Sequence, residues 1–142
     1  MVKKYLSFFI AITTIVLLMD QLSKYIIEVA EPALSWKIME ITLVKNTGAG
    51  FGILSEQKWL LMIISVVAVG IIIVNYKDIP KEFLPQFFTA LFLGGILGNL
   101  ADRFFRGYVI DFLNFRVWPA FNVADAAITV AAIGLLIYFW KK

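Results

Sequence analysis

The chain has 142 residues, a length suited to one domain, and 61% of them are hydrophobic, giving a mean hydropathy of +0.87 that only an integral membrane protein sustains. The net charge of +3 does not argue for nucleic acid, because the lysines sit largely at the ends of apolar runs, where they orient membrane segments. Cysteine and histidine are absent, which excludes disulfides, thiol nucleophiles, Ser-His-Asp triads and His-ligated metal, and leaves carboxylates, hydroxyls and lysine for any hydrolysis.

Met1 to Lys4 and the apolar run from Tyr5 to Met19 look like the start of a signal peptide. No small-residue cleavage site follows, and Asp20-Gln21-Leu22-Ser23-Lys24 runs on into Tyr25-Ile26-Ile27, so residues 5–27 read as an uncleaved first transmembrane helix. Asp20 and Lys24 are four apart and share a helix face. They are either an ion pair that lets a polar end reach the interface or one wall of an active cavity.

Between about 28 and 58 helical periodicity fades. A β-like piece, Ile38 to Val44, precedes Lys45-Asn46-Thr47-Gly48-Ala49-Gly50-Phe51-Gly52, which predicts a small extracytoplasmic sheet or cradle on the membrane surface. The glycines lack the spacing of a nucleotide loop. Asn46, a carboxamide beside glycines, is suited to pairing with an extended peptide.

Further apolar spans follow at about 59–76, 83–104 and 121–140, the third containing Gly94-Gly95-Ile96-Leu97-Gly98, whose GxxxG spacing permits close helix contact. The expected architecture is an all-α integral membrane protein of four transmembrane helices with a small extracytoplasmic β-cradle, residues 1–142 forming a single membrane domain. Lys3, Lys4, Lys77, Lys81, Lys141 and Lys142 then share one face, which the positive-inside rule makes cytoplasmic, with both termini on it.

The stretch from Gly94 to Asp125 sets Asn99, Asp102, Arg103, Arg106, Asp111, Arg116, Asn122 and Asp125 between two apolar segments. An ionisable group at a helix centre in lipid costs roughly 2.5–3.5 kcal/mol, so such groups mark function by default. Asn99, Asp102, Arg103 and Arg106 form one stripe on the third helix. Gly107 ends that helix, 108–117 is an extended connection carrying Asp111, and Pro119 is placed for the fourth helix's start. Two carboxylates close together in a partly dry site share one proton, the ionised one able to activate water and the protonated one to polarise a carbonyl. Asp102 also suits a solvated ion-pair cluster with Arg103 or Arg106. Asn99 and Asn122 suit capping, bridging or orienting the acids, and spacing does not choose between Asp102 and Asp111 as the partner of Asp125.

NTGAGFG at 46–52, GNLADR at 98–103, VIDF at 109–112 and PAFNVAD at 119–125, in this order among four apolar spans, resemble the lipoprotein signal peptidases (signal peptidase II). The resemblance covers nearly the whole chain. It implies a multi-pass aspartyl endopeptidase of the bacterial inner membrane, active near the outer face, that cuts diacylglyceryl-modified prolipoproteins before the lipidated cysteine. By the same resemblance Asp111 and Asp125 are the catalytic pair. Asn99, Asp102, Arg103 and Asn122 then support them, and Asp20, Lys24 and Asn46 line the substrate path. No metal or other cofactor is implied; the partners are substrate and membrane lipid, with no nucleic acid, and the unit is expected to be a monomer. A small proton- or cation-conducting protein is the rival reading, with Asp20, Asp102, Asp111 and Asp125 as relay groups. Against it, the acids cluster at one membrane face.

Overall fold

The computed structural model describes residues 2–48 and 57–142; Gly50 and Gly52 of the cradle motif lie outside them. Helix α1 (Val2–Ala30) leads into strands β1 (Ala33–Ser35) and β2 (Met39–Asn46). Helix α2 (Lys58–Val74), a 3-10 turn (Tyr76–Asp78), helix α3 (Phe83–Phe105), strand β3 (Val109–Phe115) and helix α4 (Val123–Trp140) complete the described chain.

Three helices, α1, α3 and α4, are long and apolar enough to cross a membrane. With 29 residues α1 reaches about 43 Å, more than the roughly 30 Å hydrocarbon core. Where four spanning helices were expected, α2 is apolar but only 17 residues long and buries no side chain. Its shortness has a local cause. Asn75 caps the helix, its backbone N–H and its Nδ2 both donating to Ile71 O, at 3.1 and 2.8 Å, and the chain then tightens into the 3-10 turn. Gln86, fully buried at the start of α3, braces this turn by donating to Pro80 O (3.1 Å) and accepting from Tyr76 Oη (3.1 Å).

Helix α3 is the axis on which the others pack, and its paired glycines make that possible. A Cβ on Gly94 would stand 2.8 Å from Val16 Cβ on α1, and one on Gly95 2.6 Å from Ala124 O on α4. The two neighbours therefore close in from two sides of the same turn. One turn on, a Cβ on Gly98 would run into the Asp20 carboxylate. Small residues continue this contact on α4, where Ala124, Ala127 and Ala131 are buried.

The strands form one antiparallel sheet in the order β1-β2-β3. The segment carrying Asp111 is thus a third strand of the cradle and not an isolated connection. Gly107, at φ +82°, makes the turn out of α3, a backbone conformation that suits glycine. In register Val44 faces Asp111 and Asn46 faces Val109, with an irregularity between Ile41 and Val44. Ile27 of α1 packs with Ile110 and Phe112 beneath the sheet. Phe121 pairs with Leu113 through N–H···O bonds of 3.0 and 2.9 Å, which draws the start of α4 against β3.

Candidate active site

Helix α4 begins at a capping box. Asn122 Oδ1 accepts from the backbone N–H of Asp125 (2.9 Å), and Asp125 Oδ2 accepts from the backbone N–H of Asn122 (3.2 Å). Pro119, expected at the helix start, lies in the segment before it; Asn122 takes the N-cap because its side-chain oxygen satisfies a free N–H of the first turn. The second Asp125 oxygen, Oδ1, accepts from Asn99 Nδ2 at 2.7 Å.

Asp111 is 2% exposed on β3. Its Oδ1 accepts from Asn122 Nδ2 (2.7 Å) and its Oδ2 from Asn46 Nδ2 (2.8 Å). Asn46 is itself held by the Gly48 N–H, which donates to its Oδ1 at 2.9 Å. Burial pushes the Asp111 carboxyl up to about 6. The neighbouring charge of Asp125 adds to the rise, while the Asn46 and Asn122 donors and the Lys24 charge oppose it.

Asp111 and Asp125 line one cavity of about 200 Å³, with Asn46, Asn99 and Arg103 on its polar wall and Trp118 to Phe121 on the other side. Five of the residues expected in the site, Asn46, Asn99, Arg103, Asp111 and Asp125, therefore meet here, and Asn122 bridges the two acids from behind. Asp20 and Lys24 do not line this cavity. Both are fully buried, 2.8 Å apart, deep between α1, α3 and α4. Neither reaches the protein surface.

Asp102 is buried as well, not part of a solvated cluster. It pairs with Lys24 (2.9 Å) and Arg106 (2.7 Å) and accepts from the Ile110 N–H (3.2 Å), fastening β3 to α3. Arg103, expected to hold Asp102 and nearby backbone carbonyls, donates to the carbonyls of Asn99 (3.4 Å) and Gly48 (3.3 Å). Its Nε is buried with no hydrogen bond among the described residues. Arg106 and Arg116 pair with Glu28 (3.2 Å) and Glu40 (3.3 Å).

Gln21 and Glu28 belong to this network and were not singled out in the sequence. Gln21 donates to Asp20, Asp102 and Gly98 O and accepts from Arg106. Glu28 accepts from Arg106 and from Tyr108 Oη. The available signal was helical spacing, since Glu28 lies four residues beyond Lys24 and eight beyond Asp20. Among the described residues no group of three or more acidic side chains is arranged to hold a metal ion.

A family model described as signal peptidase (SPase) II matches residues 12–141. A lipoprotein signal peptidase of Halothermothrix orenii is 37% identical over 136 residues, covering 92% of this chain and 94% of that protein. Those of Moorella thermoacetica and Pseudomonas aeruginosa are 40% and 41% identical, over 94% and 92% of this chain and 91% and 86% of theirs. A bacterial membrane enzyme solved by the in meso method superposes with a TM-score of 0.88 at 30% identity, over 95% of this chain and 88% of that one.

Proposed function

The chain belongs to the signal peptidase II family, and we propose that it removes the signal peptides of prolipoproteins by aspartyl chemistry at Asp111 and Asp125. The observation that carries the aspartyl reading is that both acids line one cavity and both residues are tied to Asn122, Asp111 by its carboxylate to the carboxamide and Asp125 through the reciprocal bonds of the capping box. In this reading the protein is a multi-pass protein of the bacterial inner membrane. All four helices span it, α2 with help from its flanking turns, the lysine-bearing ends and both termini are cytoplasmic, and the sheet lies at the outer face. The single membrane domain works as a monomer.

The diacylglyceryl-modified substrate enters sideways from the outer leaflet, its acyl chains staying in lipid. The residues around the scissile bond unwind, since a helix keeps its carbonyls in its own hydrogen bonds, and lie extended between the strand end at Asn46 and the two acids. The ionised aspartate takes a proton from water as the oxygen attacks, and the protonated one donates to the carbonyl oxygen. The tetrahedral gem-diol collapses as a proton passes to the leaving amine, and the cut falls before the lipidated cysteine. Arg103, whose guanidinium lines the cavity, is suited to a substrate carbonyl.

The test is a gel-shift cleavage assay on a diacylglyceryl-modified prolipoprotein in nanodiscs, with wild type, Asp111→Asn and Asp125→Asn, each with and without a chelator. Chelator-resistant cleavage lost in both variants is the expected result. Turnover by either folded variant removes that residue from the pair.

A further inference from the structure

The carboxamide of Asn99 has both ends committed. Its Oδ1 accepts from Lys24 Nζ (3.0 Å) and Asn122 Nδ2 (3.2 Å), and its Nδ2 donates to Asp125 Oδ1 (2.7 Å). An ammonium has donors only, so turning the amide over would set N–H against N–H on the Lys24 side and oxygen against carboxylate on the other. Lys24, together with the Asn122 amide, therefore sets which end of Asn99 meets Asp125, and of the two only Lys24 brings a charge. It is fixed in place itself, fully buried with its other two contacts on Asp20 (2.8 Å) and Asp102 (2.9 Å). Asp20 in turn accepts from the Ala124 N–H (2.9 Å), so the same ion pair is anchored to the first turn of α4.

The two acids are supported unequally. Asp125 receives an amide that an ammonium polarises, and it stands at the N-terminal end of α4, where free N–H groups favour negative charge. The Lys24 charge reaches Asp111 as well, but Asp111 stands on a strand, and its carboxamide donors, Asn46 and Asn122, are held by the backbone N–H groups of Gly48 and Asp125 and not by an ammonium. The charged groups around the pair are Asp20 and Lys24 from α1 and Asp102 and Arg103 from α3, with Arg106 behind Asp102; β2 contributes the uncharged Asn46.

Within the aspartyl reading, on which this inference rests, we propose that Lys24 is a positioning residue that aims Asn99 at Asp125 and so leaves the pair's single proton on Asp111. Asp125 then takes a proton from the attacking water while Asp111 gives its proton to the substrate carbonyl. In the collapse Asp125 passes the water proton to the leaving nitrogen, the C–N bond breaks, and a gem-diol hydroxyl returns its proton to Asp111. The pair ends as it began.

The experiment compares wild type, Asp20→Asn, Asp20→Asn/Lys24→Met and Asp20→Asn/Lys24→Gln in nanodiscs. The double variants remove opposite charges together, so no buried charge loses its only partner. Cleavage rates across pH and thermal midpoints are measured for each. Asp20→Asn/Lys24→Met is expected to lose about tenfold or more in kcat with KM within about twofold, and to shift the acid limb of kcat/KM up by about one pH unit. The Gln variant, which keeps a donor but no charge, should regain part of kcat with the limb still shifted. If the Met variant does not fold, the Gln variant carries the same pH readout. An acid limb unmoved in the folded double variants, or moved as far by Asp20→Asn alone, overturns the role of Lys24. Asp111→Asn and Asp125→Asn run alongside: turnover by either would remove the aspartyl reading itself, whereas inactive dyad variants beside an unmoved limb sink only this inference.

Discussion

Asn122 and Asp111 are joined by a 2.7 Å hydrogen bond from the carboxamide of a helix cap to a carboxylate on a strand. The same cap accepts the Asp125 N–H through its oxygen. One side chain thus sets the start of α4 and the spacing of the two acids together.

That double duty can be separated. Asn122→Ala removes both the cap and the donor to Asp111, and should cost about 0.5–2 kcal/mol in stability from the cap and about a hundredfold in kcat. Asn122→Ser keeps an oxygen able to cap but has no amide to reach Asp111. It should regain the thermal midpoint without regaining the rate. Equal recovery of both would mean that Asn122 acts through helix stability alone.

Asp111 makes stability depend on pH. Its carboxyl is held up to about 6 by burial, against an ordinary value of 3.8. Between those values the folded chain keeps a proton that the unfolded chain has lost. The contribution of this group is therefore fully present below the unfolded value and is lost as pH rises through about 6. Above that, ionised Asp111 costs the fold up to about 3 kcal/mol. Asp111→Asn should gain in thermal midpoint relative to wild type on going from about pH 4.5 to about pH 7.5, as followed by scanning fluorimetry in detergent. A difference that is flat or reversed in pH would show that Asp111 is not the proton-holding group of the folded site.

How much of this was legible in the sequence follows from distance along the chain. The stripe of Asn99, Asp102, Arg103 and Arg106, the break at Gly107 and the first-turn pair Asn122 and Asp125 are local patterns, and helical geometry makes them readable. Which partners those groups take is not local. Lys24 meets Asn99 and Asp102 from more than seventy positions away, so a pair that looked suited to the interface is instead buried behind the acids. Gln21 was hidden for the same reason, since an amide between Asp20 and Lys24 reads as ordinary polarity until α3 is laid against it. The choice of Asp111 over Asp102 came from family resemblance. In the structure the two differ: Asp102 pairs with two cations, while the described side chains that hydrogen-bond Asp111, which lines the cavity, are the carboxamides of Asn46 and Asn122.

The buried ion network should dominate stability over the surface pairs. Asp102→Ala leaves Arg106 with Glu28 and Lys24 with Asp20 alone, and removing one member of a buried pair costs about 3–5 kcal/mol. The Lys142–Glu82 pair, 2.7 Å long, is half exposed on both sides and should contribute nothing measurable. Thermal midpoints of Asp102→Ala and Glu82→Gln should therefore fall far apart. Similar values would mean that water reaches Asp102.

The last prediction concerns how closely α3 and α4 must approach for the acids to be aligned. Asp125 stands one position beyond Ala124, whose carbonyl would lie 2.6 Å from a Cβ on Gly95. Backbone cannot rotate away as a side-chain tip can, so Gly95→Ala must push the first turn of α4 outward. That displacement lengthens the 2.7 Å bond from Asn99 to Asp125. Rate should suffer more than binding, with kcat down about a hundredfold, since misplacement on the order of an ångström has that effect. Gly70→Ala on α2 is the matched control. A Cβ there meets nothing within 4 Å, and alanine gains up to about 1 kcal/mol over glycine in a helix, so activity should hold and stability should rise slightly. If Gly95→Ala cleaved at the wild-type rate, the close contact between the two helices would serve packing without positioning Asp125.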